Sequence, residues 1–222
     1  MMAPSVEQAR FNMVNQQIRP WEVLDPRVLS LMESMPREFF VPPPYQGLAY
    51  ADLEVPIGHG ERMMFPRVEA RLLQALDLQP TDAVLEVGTG SGYLTACLAK
   101  LCRRVVSIDL QAEFTESAAE RLKEQGIDNV LLSNGDAMAA DSDEAPFDAI
   151  VVTGSVASAE QAGIFRRQLK AGGRLCIVIG EPPVMQAMLI TRRGEGVFAE
   201  ESLFETELPP LVHGTLPASF EF

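Results

Sequence analysis

A glycine-rich run between an apolar strand pattern and a helical pattern constrains this chain most strongly. The alternating apolar residues from Val84 to Val87 end in three glycines spaced by two, Gly88, Gly90 and Gly92. This pattern is expected where a strand enters a tight turn that opens a helix. Glycine lets the backbone take positive φ and approach a ligand closely. Leu94 to Leu101 continues at helical spacing, so its first amide groups face whatever fills the loop. We interpret the run as a nucleoside cofactor site.

A second predicted strand, Arg104 to Ile108, places Asp109 at its carboxyl end. A carboxylate there can accept hydrogen bonds from both hydroxyls of a ribose. A dinucleotide fingerprint puts its third glycine one residue later, where this chain has Tyr93, so an NAD-linked oxidoreductase is the weaker interpretation. Two structural alternatives stay open. The loop can be a tight turn of any doubly wound domain, and Asp109 can cap the helix that begins near Gln111.

Length and charge narrow the classes of function. A chain of 222 residues suits one α/β domain with an elaboration. Its formal net charge of −13 weighs against a DNA or large RNA substrate, because sequence-independent affinity for nucleic acid comes from Lys and Arg on phosphates. No apolar run approaches a membrane span, and Met1 to Ser5 lacks the pattern of an export signal.

The three cysteines, Cys97, Cys102 and Cys176, include no C-x-x-C pair and no nearby histidine cluster. This argues against a disulfide framework and against a zinc site. Cys97 and Cys176 fall at apolar positions of a predicted helix and a predicted strand, where buried free thiols are expected. We therefore predict no bound metal, no membrane association and a cytoplasmic location.

The chain begins with predicted helices and continues as an alternating α/β pattern. Ser5 with Gln8 resembles a capping box, and Asp25-Pro26 is a good start for a second helix. Residues 45–66 are irregular, with a short strand around Glu54 to Ile57, and form a candidate binding loop. The later predicted segments are helices at 67–78, 111–125 and 158–169 and strands at 129–133, 147–153 and 174–179.

The end of the chain differs from this alternation. Segments 185–192 and 197–204 flank Gly194-Glu195-Gly196, which predicts an antiparallel hairpin at the sheet edge. From Leu208 onward no period is evident, so we expect a tail that packs on the surface or is partly mobile. The overall expectation is a Rossmann-like, doubly wound α/β fold with a mostly parallel sheet, an antiparallel edge hairpin and an N-terminal helical extension. We divide it into an N-terminal helical segment with an active-site loop (1–66), a cofactor-binding core (67–207) and a tail (208–222).

Several motifs together resemble one family, the protein-L-isoaspartate O-methyltransferases. The specific ones precede the glycine loop, whereas those after it are shared by many methyltransferases. The matching segments are 25–29, 35–42, 48–52, 56–60, 88–93, 147–153 and 169–175. The resemblance implies a seven-stranded sheet with its last strand antiparallel, S-adenosylmethionine as methyl donor, and the carboxylate of an isoaspartyl residue in a damaged protein or peptide as acceptor.

The resemblance also assigns residues to the cofactor. The loop around the amino-acid part of the donor, the ribose-binding acid Asp109 and the adenine-binding acid Asp136 are carried over from the family pattern. Ala137 follows Asp136 where the family usually has glycine. The predicted cofactor residues are Glu86, Gly88, Thr89, Gly90, Gly92, Tyr93, Asp109, Leu110, Asp136 and Ala137.

The departure from the family lies just after Gly60. A segment resembling Gln-Thr-Ile-Ser-x-Pro usually follows, whereas this chain has Glu61-Arg62-Met63-Met64-Phe65-Pro66. Aligned on the proline, Arg62 replaces the threonine and Met64 the serine, and a thioether cannot donate a hydrogen bond to a carboxylate. The predicted acceptor-side residues are Arg62, Met64 and His59.

Two hypotheses about the acceptor follow. In the first, Arg62 or Arg67 supplies a charge-assisted hydrogen bond and the chain methylates an isoaspartyl or another small carboxylate. In the second, the altered pocket takes a different acceptor, or the chain binds cofactor as a regulatory protein without isoaspartyl activity. Met63, Met64 and Phe65 have a structural alternative as core residues beneath the loop. His59 is equally a candidate for a structural hydrogen bond, and His213 more so.

Overall fold

The computed structural model describes residues 5–214, so the predictions for Met1 to Pro4 and for 215–222 lie outside it. Nine strands and six α-helices are distinguished in the described chain. The strands are β1 (Val55–Gly58), β2 (Glu61–Met63), β3 (Ala83–Val87), β4 (Arg104–Asp109), β5 (Val130–Asn134), β6 (Phe147–Val156), β7 (Leu169–Glu181), β8 (Val184–Gly194) and β9 (Val197–Glu205). The helices are α1 (Val6–Asn12), α2 (Pro26–Ser34), α3 (Pro66–Leu76), α4 (Tyr93–Leu101), α5 (Ala112–Glu124) and α6 (Gly163–Arg166).

Seven strands form the central sheet in the order β5-β4-β3-β6-β7-β8-β9, and β1 pairs with β2 in a separate hairpin. The pairs from β5 to β7 are parallel, and β8 is antiparallel to both β7 and β9. The predicted fold class and edge hairpin are confirmed. The antiparallel strand is the penultimate one, β8, and the last strand returns to the common direction.

The sheet separates two apolar layers. Successive residues of β3 enter different layers, with Val84 in one and Leu85 in the other, because side chains alternate across a strand. The N-terminal segment supplies Met13, Ile18 and Met32 to the same layer as Val84. The described part of the N-terminal segment thus shares a core with the sheet, although the three-part division of the chain stays a prediction.

The N-terminal helices begin as their sequences predict. The Ser5 side chain accepts a hydrogen bond from the Gln8 amide, and the Asp25 side chain accepts one from the Arg27 amide. Helix α1 continues through a wider helical segment, Met13–Ile18, in which Met13, Val14 and Ile18 are buried. No helix among residues 5–214 is long and apolar enough to span a bilayer.

The helix predicted at 158–169 is wrong. Only Gly163–Arg166 is α-helical, because the Gln161 side chain accepts hydrogen bonds from the Ala157 and Ser158 amides and stabilises a turn there. Leu169 belongs to β7 instead, where it pairs with Phe147. Gly172 and Gly173, which follow the predicted helix, therefore lie within strand β7, at an irregularity in its register.

Candidate active site

A cleft lies at the carboxyl ends of the parallel strands, where the sheet order reverses. Strands β4 and β6 flank β3 on opposite sides, so the chain connections diverge there, as at the ligand sites of doubly wound sheets. The cleft encloses about 1150 Å³ of empty space including its open mouth. Its walls come from the loops after β3, β4 and β5, the end of β6, the β1–β2 hairpin and the segment Leu208 to Val212.

The loop after β3 takes a conformation that requires glycine. Gly88 has φ +94° and Gly90 has φ +50°. A Cβ on Gly88 would lie 2.1 Å from Oγ1 of Thr153, which donates to the carbonyls of Val87 and Gly88. The end of β6 therefore packs directly on the loop backbone, which lines the cleft.

Asp109 ties the glycine loop to the start of α5. Its Oδ2 accepts from the Gly90 amide at 2.9 Å and its Oδ1 accepts from the Gln111 amide at 2.9 Å. Each carboxylate oxygen keeps further acceptor capacity. The side chain lines the cleft beside Leu110, which is partly exposed there. Asp109 thus has two roles: it supports the first turn after β4, and it lines the ligand cleft.

Asp136 lies on the same side of the cleft, after β5. Its Oδ1 accepts from the Met138 amide at 2.8 Å, and its Oδ2 lies 2.5 Å from Nδ1 of His213. Ala137 is buried and also lines the cleft. The structure therefore brings the two predicted acids, the loop glycines Gly88 and Gly90, Leu110 and Ala137 together around one space.

Other predicted cofactor residues lie beneath the loop. Oε2 of Glu86 accepts from Thr95 at 2.5 Å and from Ser107 at 2.6 Å, and Ser107 in turn bonds Thr89. Oε1 of Glu86 has no hydrogen-bond partner within the described chain. Of this group only Thr89 lines the cleft. Glu86 thus supports the loop from below, and a direct contact with a cofactor stays a prediction.

Tyr93 and Gly92 also face the protein interior. The Tyr93 ring is buried, with the Phe40 ring edge-on to it and the Arg37 guanidinium 4.6 Å from its centre. A Cβ on Gly92 would lie 2.9 Å from that of Ala118. Both residues therefore set the packing of α4 against α5 and the N-terminal segment.

Burial raises the pKa of Glu86 to about 8, and the hydroxyls of Ser107 and Thr95 only partly oppose this. The folded protein then holds a proton between pH 4.5 and 8 that the unfolded chain has lost. Stability from this group is full below about pH 4.5 and is lost as the pH rises toward 8. We expect wild type to lose up to about 1.4 kcal/mol per pH unit relative to Glu86→Gln in this window.

Urea unfolding of both proteins at several values from pH 5 to 8 measures this difference. Glu116→Gln, at an exposed position on α5, controls for the loss of one carboxylate. Parallel profiles for wild type and Glu86→Gln would show that Glu86 is ionised in the folded protein and would contradict the prediction.

The β1–β2 hairpin forms another wall of the cleft. Arg62 pairs in register with Pro56 and lines the cleft. Met63 and Met64 are buried and line it too, and the Met64 carbonyl accepts from Nη2 of Arg37 at 2.8 Å. Arg37 also pairs with Glu69 in the interior. The methionines are therefore both core residues and cleft residues, and Arg37 fixes their backbone.

Arg67 does not reach the cleft. It pairs with Asp52, and its guanidinium lies 4.6 Å from the Trp21 ring centre and 4.1 Å from that of Phe65. Among the described residues that line the cleft, Arg62 is the only basic side chain. Of the two arginines considered as acceptor anchors, the geometry therefore favours Arg62.

His59 lies at the hairpin tip with φ +52°. Its ring packs edge-on against Phe114 at 5.3 Å, and Nε2 is 4.0 Å from a carboxylate oxygen of Glu113. Phe114 lines the cleft and His59 does not. The structure thus brings Arg62 and Met64 together in the cleft lining. His59 lies outside that lining and connects the hairpin to α5 through Phe114 and Glu113.

The lining of the cleft is acidic. Burial raises the pKa of Glu54, an effect that Glu207 reinforces and Arg62 opposes. Burial and the charge of Asp109 raise the pKa of Glu61. No group of His, Cys, Asp or Glu within residues 5–214 could hold a metal ion. The acidic lining therefore suits a cationic ligand near Asp109. An anionic ligand has one guanidinium to bind to in the lining, that of Arg62.

Some cleft residues were not predicted from the sequence. Thr153 ends the strand pattern that begins at Phe147. Its place at the carboxyl end of a predicted parallel strand could have indicated a cleft residue. Glu54, Glu61 and the segment Leu208 to Val212 carried none, because only the tertiary fold brings them to the cleft.

A solved Plasmodium falciparum structure, described as a protein-L-isoaspartate O-methyltransferase in complex with S-adenosyl-L-homocysteine, is similar to this chain. It matches with a TM-score of 0.76 at 23% identity and covers 94% of this chain and 98% of its own. That identity supports a shared fold. The chain therefore has the fold of the class I S-adenosylmethionine-dependent methyltransferases.

Sequence comparison identifies the family within this class. The profile of the protein-L-isoaspartate(D-aspartate) O-methyltransferases matches residues 8–215. The chain is 39% identical to the protein-L-isoaspartate O-methyltransferase of Aliivibrio fischeri, over 94% of this chain and 98% of that one. It is 38% identical to the enzyme of that name from Paracoccus denitrificans, over 89% and 90%. The chain therefore belongs to the protein-L-isoaspartate(D-aspartate) O-methyltransferase family, and the resemblance inferred from its motifs is confirmed.

Proposed function

We propose that this protein transfers a methyl group from S-adenosylmethionine to the carboxylate of an isoaspartyl residue in a protein or peptide. One observation carries the proposal. A single cleft at the strand ends is lined by the glycine loop, Asp109 and Asp136 and also by Arg62. The donor site and an anion-binding group therefore face the same space, as a methyltransferase acting on a carboxylate requires.

The residues present fit S-adenosylmethionine. Asp109 has acceptor capacity for two ribose hydroxyls, and Asp136 has it for the adenine amino group. Val87, Leu110 and Phe114 offer apolar surface between them. The acidic lining favours a sulfonium cation over a neutral product. Bound there, S-adenosylmethionine supplies an electrophilic methyl group.

The chain itself has little proton chemistry to perform. A carboxylate acceptor is already ionised near pH 7, so no general base is needed, and the predicted residue His59 lies outside the cleft. Arg62 supplies a charge-assisted hydrogen bond that orients the acceptor oxygen. Met63 and Met64 exclude water from one flank. Catalysis then comes mainly from alignment and desolvation.

Methionine at position 64 distinguishes this cleft from the hydroxyl-bearing segment that the family pattern implies. The acceptor carboxylate therefore depends on Arg62 alone for a side-chain donor from this hairpin. A cytoplasmic site of action stays a prediction, which the three buried free cysteines support.

Calorimetry with S-adenosylhomocysteine, followed by transfer of labelled methyl groups to peptides, tests the function. We expect binding, and transfer to an isoaspartyl peptide but not to its aspartyl counterpart of the same sequence. Binding with transfer only to other small carboxylates would contradict the acceptor, and binding without any transfer would favour a regulatory role. Failure to bind would refute the cofactor proposal.

A further inference from the structure

The C-terminal segment Leu208–Gly214 is fastened to the end of β6. The Ser155 amide donates to the Pro209 carbonyl at 2.9 Å, and the Leu211 amide donates to the Ser155 carbonyl at 2.9 Å. The Ala157 amide donates to the Gly214 carbonyl at 2.8 Å. Leu211 also fills the space above Gly154, where a Cβ would lie 2.8 Å from its Cδ2. The segment is therefore a fixed wall of the cleft.

His213 projects from this wall onto Asp136. Its neighbours on both sides, Leu211 and Gly214, are held by backbone hydrogen bonds, so the position of the ring is constrained. Nδ1 lies 2.5 Å from Oδ2 of Asp136. An ionised carboxylate only accepts, so Nδ1 carries the hydrogen and donates it.

The Asp136 carboxylate is thus held at both oxygens. Oδ1 accepts from the Met138 amide and Oδ2 accepts from His213. A carboxylate has about four acceptor positions, so two stay available, and Asp136 lines the cleft. The two fixed donors determine which way these positions point.

We propose that His213 is a positioning residue that orients the Asp136 carboxylate toward the exocyclic amino group of the cofactor's adenine. The inference rests on the proposed function and adds a residue of the C-terminal segment to the cofactor site. His213 does not touch the cofactor in this arrangement. It acts only through Asp136, so its effect on cofactor affinity requires the adenine amino group that donates a hydrogen bond to Asp136.

Calorimetric titration of two ligands into three proteins tests this. The ligands are S-adenosylhomocysteine and its analogue with hydrogen in place of the adenine amino group. The proteins are wild type, His213→Ala and His213→Asn, in which the asparagine amide replaces the Nδ1 donor. His213 is 64% exposed at its side chain, so these variants are expected to fold.

We expect His213→Ala to weaken S-adenosylhomocysteine by about fivefold, the effect of one ordinary hydrogen bond. The deaminated analogue should change by less than about twofold, and His213→Asn should restore most of the lost affinity. An equal loss for both ligands, no loss, or tighter binding to His213→Ala would overturn the inference. Wild type that binds S-adenosylhomocysteine keeps the proposed function intact in each of these cases, whereas wild type that binds neither ligand overturns both.

Discussion

Asp109→Ala is expected to weaken S-adenosylhomocysteine by about 100-fold or more. The carboxylate would accept hydrogen bonds from two ribose hydroxyls, and two hydrogen bonds to a charged group contribute about 3 kcal/mol or more together. The variant also frees the Gly90 and Gln111 amides, which Asp109 holds at 2.9 Å each. The loop and the start of α5 then lose a shared support. Calorimetry gives the dissociation constant directly.

Asp148→Ala is the matched control for this variant. Asp148 likewise holds a backbone amide, that of Ala83, and pairs with Lys170, but it lies outside the cleft lining. It should lower the unfolding free energy and leave the dissociation constant within about twofold. A cofactor analogue without ribose hydroxyls should lose much less affinity in Asp109→Ala than S-adenosylhomocysteine does, because only the loss of loop support affects it. If Asp109→Ala binds S-adenosylhomocysteine within threefold of wild type, the ribose role of Asp109 is wrong.

The elements with strong local signals were predictable from the sequence. Strand β3, the glycine loop and α4 follow from apolar periodicity and from glycine spacing, both of which act within about 15 residues. The β8–β9 hairpin follows from Gly194-Glu195-Gly196 in the same way. Where a local pattern competes with distant pairing, prediction failed. Residues 158–169 have helical spacing, yet β6 draws Leu169 into the sheet.

The candidate site was predictable as a set of positions and less so as a set of side-chain directions. Asp109 and Asp136 follow strands, and the carboxyl ends of parallel strands meet at one edge. The sequence does not determine whether Tyr93 faces a ligand or the core. Here Phe40 and Arg37, more than 50 residues away, hold its ring in the core.

The same limit applies to the two arginines near the hairpin. Arg62 and Arg67 are five residues apart and both carry a guanidinium, so the sequence does not separate them. The Arg67 guanidinium pairs with Asp52 and contacts the rings of Trp21 and Phe65, so it is not available to a ligand in the cleft. Side-chain partners that only the fold brings together therefore leave Arg62 as the basic group of the cleft, and the largest effect on the acceptor is expected there.

Arg62→Ala is expected to lower kcat/KM for an isoaspartyl peptide by about 30-fold to 100-fold. A charge-assisted hydrogen bond to a carboxylate contributes about 1.5–3 kcal/mol. Without the Arg62 guanidinium, the acidic neighbours Glu54 and Glu61 would also repel the acceptor carboxylate. S-adenosylhomocysteine should bind the variant within about twofold of wild type, because Asp109 and Asp136 are unchanged. Steady-state kinetics over a range of peptide concentrations measures both kcat and KM.

Two further variants separate anchoring from a general loss of structure. Arg62→Lys keeps a positive charge but loses the planar fork, so it should recover part of the activity. Arg67→Ala removes the same kind of side chain outside the cleft and should lower stability while KM for the peptide stays near that of wild type. If Arg62→Ala retains kcat/KM within threefold, the guanidinium does not hold the acceptor. With Met64 unable to donate a hydrogen bond, the acceptor carboxylate would then have to be oriented by other donors of the cleft, which are backbone amides and the side chains of Ser91 and Gln111 among others.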